Sequence, residues 1–328
     1  AMTANATGSE NVAMGHSALD ANTTGANNTA IGYQALTTNT TAGNSTAVGM
    51  NALATNAAAA NTAVGYYALV ANTTGADNVA VGASAGAAVT TGSQNVFVGM
   101  SAGVATTTGQ YNIAIGRTCL EANTTGGSNV AIGFAALDSN NADNNIAIGR
   151  ETLEACTTGA ENVALGNYAL DDTDDGVGNT AIGYTALGAN CGNANVAVGH
   201  SAGLTVTGTQ NTVIGVNAGY AITSGSNNLF LGLDSGRTGS PGGNITTGSN
   251  EIVLGDENIT ESHIQVDWTV ASDERDKTDF TALDVGLDFV NALAPVTYKW
   301  DKRAKYIDKT DPSVDLDAVT TDGTHKED

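Results

Sequence analysis

Ser272 and Lys277 are the residues of this chain whose types and spacing best suit covalent chemistry, and both lie in a charged run, 271–280. A serine hydroxyl attacks a carbonyl carbon when an adjacent base accepts its proton, and a lysine serves as that base once burial lowers its pKa. An exposed Lys277 would stay protonated, and it would pair with neighbouring carboxylates on a solvated turn, as would Arg275. The residues alone leave both interpretations open.

Three short elements are predicted around this run, in a segment whose composition differs from that of the preceding chain. Residues 256–328 contain 18 Asp and Glu, 8 Lys and Arg, and both tryptophans. Residues 262–270 alternate like a strand, residues 284–293 have apolar side chains at helical spacing, and residues 295–300 form a second strand-like stretch. The sequence therefore predicts a small α+β segment at this end of the chain.

Cysteine, histidine and acidic residues offer no second reactive centre. Three irregularly spaced cysteines predict free thiols with a structural role. The four histidines lie far apart without nearby ligands, so no metal site is predicted, and no cofactor is expected. A dense acidic cluster at 171–175 predicts a solvated turn or weak calcium binding rather than the paired acids of a glycosidase. The cysteines are Cys119, Cys156 and Cys191, and the histidines are His16, His200, His263 and His325.

The charge of the chain excludes two classes of partner. The formal net charge is −22, and residues 1–255 hold only three basic side chains, Arg117, Arg150 and Arg237. A protein that binds phosphates needs clustered Lys and Arg, so neither nucleic acid nor an anionic membrane surface is expected as a partner. No apolar stretch reaches the ~18 residues of a membrane span, so no membrane insertion is predicted, and no secretion leader is recognised.

A glycine recurs through most of the chain at intervals of 16 or 17 residues, except for a last interval of 23 that contains Pro241. Each copy follows an asparagine, an aliphatic residue or threonine, usually an alanine, and a second aliphatic residue. This period is the mark of a repeat architecture. The fifteen repeat glycines are Gly15, Gly32, Gly49, Gly65, Gly82, Gly99, Gly116, Gly133, Gly149, Gly166, Gly183, Gly199, Gly215, Gly232 and Gly255.

Each repeat predicts one coil of a parallel β-solenoid. The residues one and three before the glycine alternate with the alanine between them, as in Thr29-Ala30-Ile31-Gly32, which is a short strand pattern. A second apolar pair, Ala35-Leu36 in this coil, forms the other side, and a polar turn such as 22–25 leads back. No coil can bury its apolar side chains alone, so about fifteen coils must stack.

Two features of the repeat predict further contacts. Because both faces of the strand are apolar, we expect one to face the coil interior and the other a partner subunit; alternatively, the alanine row is merely exposed. The asparagine four residues before each repeat glycine, such as Asn28 or Asn112, predicts a ladder of side-chain amides along the rod or, equally, a turn that bonds its own backbone.

The segments 27–32 and 127–133 resemble the head repeats of the YadA-like trimeric adhesins. The resemblance covers residues 8–255 and implies a β-roll that assembles as a homotrimer. In that family the surface of the roll binds host matrix or cells. The period is longer here by a few residues than is usual in that family.

The run 271–280, followed by the predicted helix and by 296–300, resembles the start of the intramolecular chaperone of phage tail fibres and tailspikes, the peptidase S74 family. The resemblance implies a domain that trimerises, drives folding of the fibre ahead of it and then cuts itself off. Carried over to this sequence, the scissile bond is Ala271–Ser272, Ser272 is the nucleophile and Lys277 is its base. The implied domains are a shaft (1–255), a connecting strand (256–271) and an incomplete chaperone (272–328).

These inferences predict the trimeric, receptor-binding tail fibre of a virus, made in the host cytoplasm and carried on the virion. No turnover enzyme is expected beyond a single self-cleavage. The expected partners are two copies of the same chain and a host-surface receptor such as a glycan. The varied residues directly after the repeat glycines would contact the receptor; tyrosines there, for example Tyr33 or Tyr184, would stack on its sugars or, equally, pack between subunits. The alternative is a bacterial trimeric adhesin located on the cell surface. An ice-binding solenoid is disfavoured because the Thr-Thr pairs adjoin turns.

Overall fold

The computed structural model describes residues 1–261, 263, 300–301 and 326–327. The chain divides into two units, Ala1–Ser262 and His263–Asp328. In the first unit, fifteen strands of three residues form one sheet in which the strands follow chain order. The strands are β1 Val12–Met14, β2 Thr29–Ile31, β3 Thr46–Val48, β4 Thr62–Val64, β5 Val79–Val81, β6 Val96–Val98, β7 Ile113–Ile115, β8 Val130–Ile132, β9 Ile146–Ile148, β10 Val163–Leu165, β11 Thr180–Ile182, β12 Val196–Val198, β13 Thr212–Ile214, β14 Leu229–Leu231 and β15 Ile252–Leu254.

All fourteen pairings along this sheet are parallel and in register, so equivalent residues of successive repeats lie side by side. Ala114 of β7 pairs with Ala131 of β8, for example, and Ala131 pairs with Ala147 of β9. No helix occurs in the described part of the chain. The predicted all-β parallel solenoid of about fifteen coils is therefore confirmed.

In the second unit, the short strands β16 (Trp300–Asp301) and β17 (Lys326–Glu327) pair in antiparallel fashion. The predicted connecting strand (256–271) and chaperone segment (272–328) otherwise lie mostly outside the described residues.

The core of each coil is built from small and branched side chains. The residue two before the repeat glycine, such as Ala114 or Ala131, is fully buried, as are the residues three and four after it, such as Ala136 and Leu137. The alternative in which the alanine row is exposed is therefore wrong. Alanine fits this position because the opposite wall of the coil already supplies a leucine, which leaves room for little more than a methyl group.

The second apolar segment of each coil is not the simple mirror of the first. Residues two and four after the repeat glycine have left-handed backbone conformations, for example Leu137 with φ 52° and Tyr168 with φ 59°. Such residues cannot continue an extended strand, so this wall turns twice within four residues. Its amides still bond from coil to coil, as Leu137 N donates to Thr152 O at 3.0 Å. The second side of the coil, predicted as a simple apolar pair such as Ala35-Leu36, thus contains two tight corners.

The asparagines four residues before the repeat glycine are buried and connect each coil to its neighbours. The backbone N–H of Asn112 donates to Asn95 Oδ1 at 2.9 Å, and its own Nδ2 donates to the carbonyl of Gly126 at 2.9 Å. Asn129 repeats the pattern on Asn112 Oδ1 at 3.0 Å. The predicted row of asparagines along the rod is confirmed, but its recurrent bonds join side-chain amides to the backbone of the adjacent coils. These bonds satisfy backbone groups that would otherwise be buried without partners.

The three cysteines are buried and free. Cys119 occupies the position that is alanine in Ala136, and Cys156 occupies the position that is Asn140 one coil earlier. Burial raises the pKa of the Cys119 thiol to about 12 and that of Cys156 to about 11. The prediction of free, structural thiols is confirmed.

Four coils carry a residue larger than alanine at the inner strand position, namely Phe97, Val213, Phe230 and Val253, and the coil of Phe97 shows how its neighbours compensate. Phe97 stands at the inner strand position and is fully buried. The residues that are leucine in most other coils are Gly86 and Gly103 on either side of it. A Cβ at Gly86 would lie 2.7 Å from Phe97 Cδ2, and one at Gly103 would overlap the same ring. The phenyl ring therefore fills the space of two missing leucines.

Candidate functional site

Ser272, Lys277 and the Ala271–Ser272 bond lie outside the residues that the structure describes. Their predicted roles as nucleophile, base and scissile bond therefore remain predictions. The described surfaces that bear on function are those of the solenoid.

The outer side of the strand sheet is an apolar surface that runs the length of the rod. We call it the apolar face; it consists of the side chains one and three residues before each repeat glycine. Ile115 is 39% exposed, Leu165 is 44% exposed and Ile214 is 41% exposed. Most water-soluble proteins expose only small apolar patches, so this continuous surface is a candidate interaction site.

The side chains directly after the repeat glycines form a second row, which contacts itself. The guanidinium carbons of Arg117 and Arg150 each lie 5.8 Å from the centre of the Phe134 ring. Further along the rod, Tyr184 stacks on His200 with a centroid separation of 5.2 Å. Neighbouring side chains of this row therefore contact one another, while Tyr33 and Tyr184 are still 47% and 49% exposed. A contact of these tyrosines with a receptor glycan stays a prediction.

A row of carboxylates lies five residues after the repeat glycine in four successive coils. Glu121, Asp138, Glu154 and Asp171 form this carboxylate row. The Oδ1 atoms of Asp138 and Asp171 are buried and accept no hydrogen bond from the described residues. The sequence analysis missed the row, although its constant distance from the repeat glycine would have revealed it.

Both aspartates of the row have raised pKa values. Burial, followed by the charges of Glu121 and Glu154, raises the pKa of Asp138 to about 6. Burial, followed by the charge of Asp172, likewise raises the pKa of Asp171 to about 6. Like charges stacked in partial burial disfavour ionisation, so the ionised row opposes folding.

The pH dependence of stability follows from the sign of these shifts. The folded pKa of each aspartate exceeds its unfolded value, so the folded state binds protons more tightly, and stability rises as pH falls through about 6. We expect a melting temperature several degrees higher at about pH 5 than at about pH 8, measured by circular dichroism.

The double variant Asp138→Asn/Asp171→Asn isolates this contribution, because an amide carries no charge at either pH. Its melting temperature is expected to exceed that of the wild type at about pH 8 and to vary less with pH. As a control, Asp77→Asn removes one surface charge away from the row. An equal pH dependence in the wild type and the double variant would show that the row does not titrate as described.

Comparison with known protein families finds a match in the C-terminal segment of the chain. Residues 272–315 match the peptidase S74 family, described as the chaperone of endosialidase. The match begins at Ser272, the residue that the sequence predicts as nucleophile. The solenoid lies outside the matched segment, which is a minor part of the chain. A comparison with curated proteins finds no match.

Two further properties concern only the described residues. No three His, Cys, Asp or Glu side chains among them lie close enough together to hold a metal ion. Within the same residues, there is no helix with the length and apolar character needed to cross a bilayer.

Proposed function

We propose that this chain is the shaft of a homotrimeric viral tail fibre that binds a host-surface receptor, followed by the start of a self-releasing chaperone. The observation that carries the proposal is the match of residues 272–315 to the chaperone of endosialidase, directly after a long β-solenoid. In this proposal the protein is made in the host cytoplasm and acts on the virion.

The architecture explains why such a fibre would need a folding aid. Each coil becomes stable only on a neighbouring coil, and a trimer also requires three chains to meet in the same alignment. Assembly dominated by non-local pairing is slow and leaves apolar surface exposed in the meantime. A domain that brings the three chains together at one end would remove much of that delay.

Self-cleavage would proceed through an ester. The Oγ of Ser272 would attack the carbonyl carbon of Ala271 while Lys277 accepts the hydroxyl proton, and the C–N bond would break as the Ser272 nitrogen takes up a proton. Water would then hydrolyse the ester and leave a carboxylate on Ala271 and an amine on Ser272. A neutral Lys277 is required, and burial on folding would supply it.

We expect the Ser272→Ala variant of the full chain to remain intact under conditions in which the wild type is cut before Ser272. Lys277→Ala should slow cleavage by about a hundredfold or more, since it removes the base. Mass spectrometry of the fragments identifies the new ends at Ala271 and Ser272. Ser262→Ala, an alteration outside the predicted motif, should be cut normally. An uncut wild-type chain, or a cut Ser272→Ala variant, would contradict the proposed cleavage.

The apolar face supports the homotrimer. It extends over fifteen strands that pair in register, and its side chains are only aliphatic residues, threonine and methionine. Among its exposed members are Val81, Ile115 and Leu165. A second and third copy of the same face would cover it with matching spacing, because all chains share one coil repeat. Charged partners would gain nothing from this surface.

We expect Ile115→Lys to convert the trimer into monomers or to weaken it strongly, because assembly would bury three unpaired ammonium groups. Sedimentation velocity gives the mass of the assembly. Val177→Lys is the matched control, since Val177 is 36% exposed and lies outside the apolar face, against 39% for Ile115. A monomeric wild type, or a trimer unaffected by Ile115→Lys, would refute this interface.

The alternative of a bacterial adhesin shares the solenoid and the proposed trimer. The match to the chaperone of endosialidase favours the viral fibre. The two functions separate experimentally, because only the fibre is expected to release its C-terminal segment.

A further inference from the structure

The single long interval of the repeat builds a defined loop. Between Gly232 and Gly255 the chain inserts extra residues, and the insertion loop (235–248) is held by Ser240, which is only 6% exposed. Ser240 Oγ accepts from Gly236 N at 2.9 Å, and Ser240 N donates to Arg237 O at 3.0 Å. The loop then returns Ile245 to the core, where it is 6% exposed. Insertions in repeat proteins often carry the binding function of an otherwise uniform surface.

The insertion loop forms one wall of a cleft of about 380 Å³. Its volume lies in the range of small-ligand sites, and its lining combines one aromatic ring with several polar groups. The lining side chains used below are Tyr220, Asp234, Arg237, Thr238, Asn244 and Glu257. The sequence analysis noted the long interval as a loop but did not single out these residues.

Two of the three charged groups of the cleft, Asp234 and Arg237, are held by contacts within the protein. Arg237 Nη1 donates to Asp234 Oδ1 at 2.6 Å, and Asn217 Nδ2 donates to the same oxygen at 3.0 Å. Arg237 also lies over Tyr220, with its guanidinium carbon 4.9 Å from the ring centre. Burial alone would raise the pKa of Asp234, but the hydrogen bonds from Arg237 and Asn217 lower it, so the carboxylate stays ionised.

We infer that this cleft binds an uncharged saccharide unit of the receptor glycan. The carboxylates of Asp234 and Glu257 accept hydrogen bonds from sugar hydroxyls, while Arg237, Asn244 and Thr238 donate to them. Vicinal hydroxyls present a donor and an acceptor side by side, which suits a guanidinium beside a carboxylate. The inference rests on the proposed receptor-binding function and gives it a location and a ligand class.

The charge balance selects a neutral sugar over an acidic one. The cleft holds two carboxylates and one guanidinium, and that guanidinium is already paired with Asp234. The whole chain has a formal net charge of −22, which repels polyanions at long range. A carboxylated or sulfated sugar would therefore enter against both the local and the global field.

Saturation-transfer NMR on the full chain tests this inference with methyl glycosides of glucose, galactose, mannose and N-acetylglucosamine, and with glucuronic and sialic acid. We expect transfer to at least one neutral glycoside. Arg237→Ala should weaken that binding by about tenfold or more, because it removes a charged donor and frees Asp234. Arg117→Ala, which removes an exposed arginine in a distant coil, should leave it unchanged.

A second variant guards against misfolding. Deleting residues 238–243 shortens the interval from 23 to 17 residues, as in most other coils, and should abolish binding while the circular dichroism spectrum of the rod persists. Transfer to the acidic sugars alone, equal binding by wild type and Arg237→Ala, or no transfer to any neutral glycoside would overturn the inference. Adsorption of the fibre to host cells that is unaffected by Arg237→Ala would refute this site yet leave the proposed fibre intact. Glycoside binding by a chain that neither trimerises nor cleaves would support this site and refute the proposed fibre.

Discussion

Gly116→Ala is expected to destroy the stacking of the rod around β7. Gly116 has φ +140°, a conformation reserved for glycine, and a Cβ there would overlap the carbonyl oxygen of Gly133 and lie 2.7 Å from its carbon. Forcing an alanine into this backbone costs about 1–3 kcal/mol. Relieving the overlap costs about 1–3 kcal/mol more, since the opposing atom belongs to the backbone of the next coil.

The result should appear as a large fall in melting temperature and as new proteolytic cuts near residue 116, because a defect in a stacked array uncouples the coils on its two sides. Gly178→Ala is the matched control. Gly178 also has a positive φ, of 69°, but a Cβ there meets nothing within 4 Å. The equivalent position is alanine in Ala60 and Ala194. Equal stability of both variants would show that the close approach of successive repeat glycines is unimportant.

Gly103→Leu is expected to be severely destabilising, and two further substitutions should rescue it. A leucine at 103 would collide with Phe97, at a cost of at least about 3 kcal/mol. Phe97→Ala alone should cost about 3–5 kcal/mol through the cavity it leaves. The triple variant Phe97→Ala/Gly86→Leu/Gly103→Leu recreates the usual packing and should regain most of the wild-type stability.

The backbone permits this exchange. Gly86 and Gly103 both have φ 58°, close to the 49° and 54° of Leu69 and Leu120 at the equivalent positions in the flanking coils. Denaturant unfolding of the single and triple variants gives the coupling energy, which should be favourable and of several kcal/mol in total. Strictly additive effects would show that the ring does not occupy the leucine space. Leu36→Gly, in a coil without a phenylalanine neighbour, should be destabilising and serves as the control for glycine at this position.

The sequence predicted the solenoid because its information is repeated fifteen times. The asparagine, the inner alanine and the repeat glycine recur at one spacing. Residues such as Asn112 and Ala114 therefore predict a strand in each coil and its parallel pairing with the equivalent strand of the next coil. The left-handed leucines such as Leu137 were not predicted, because leucine has no intrinsic preference for positive φ and is held there by burial and by bonds from coil to coil.

Features that occur in only some coils, such as the carboxylate row and the cleft beside the insertion loop, were harder to predict. The carboxylate row combines Asp and Glu in neighbouring coils, and only the structure shows that Asp138 and Asp171 are partly buried beside other acids. The cleft brings together Tyr220, Arg237 and Glu257, which belong to three successive coils. The chemistry of Ser272 and Lys277 was predicted from local spacing and resemblance, and it awaits the cleavage experiment.

The packing of Phe97 also helps to determine which coils stack on one another. In a uniform stack, any coil can bulge out as a loop while the next one closes the gap, since each presents nearly the same surfaces. Phe97 removes that freedom locally: if the coil of Gly103 bulged out, the ring would meet Leu120, and if the coil of Gly86 did so, it would meet Leu69. A few coils with distinct packing, placed among otherwise similar coils, favour the native register of stacking over shifted ones.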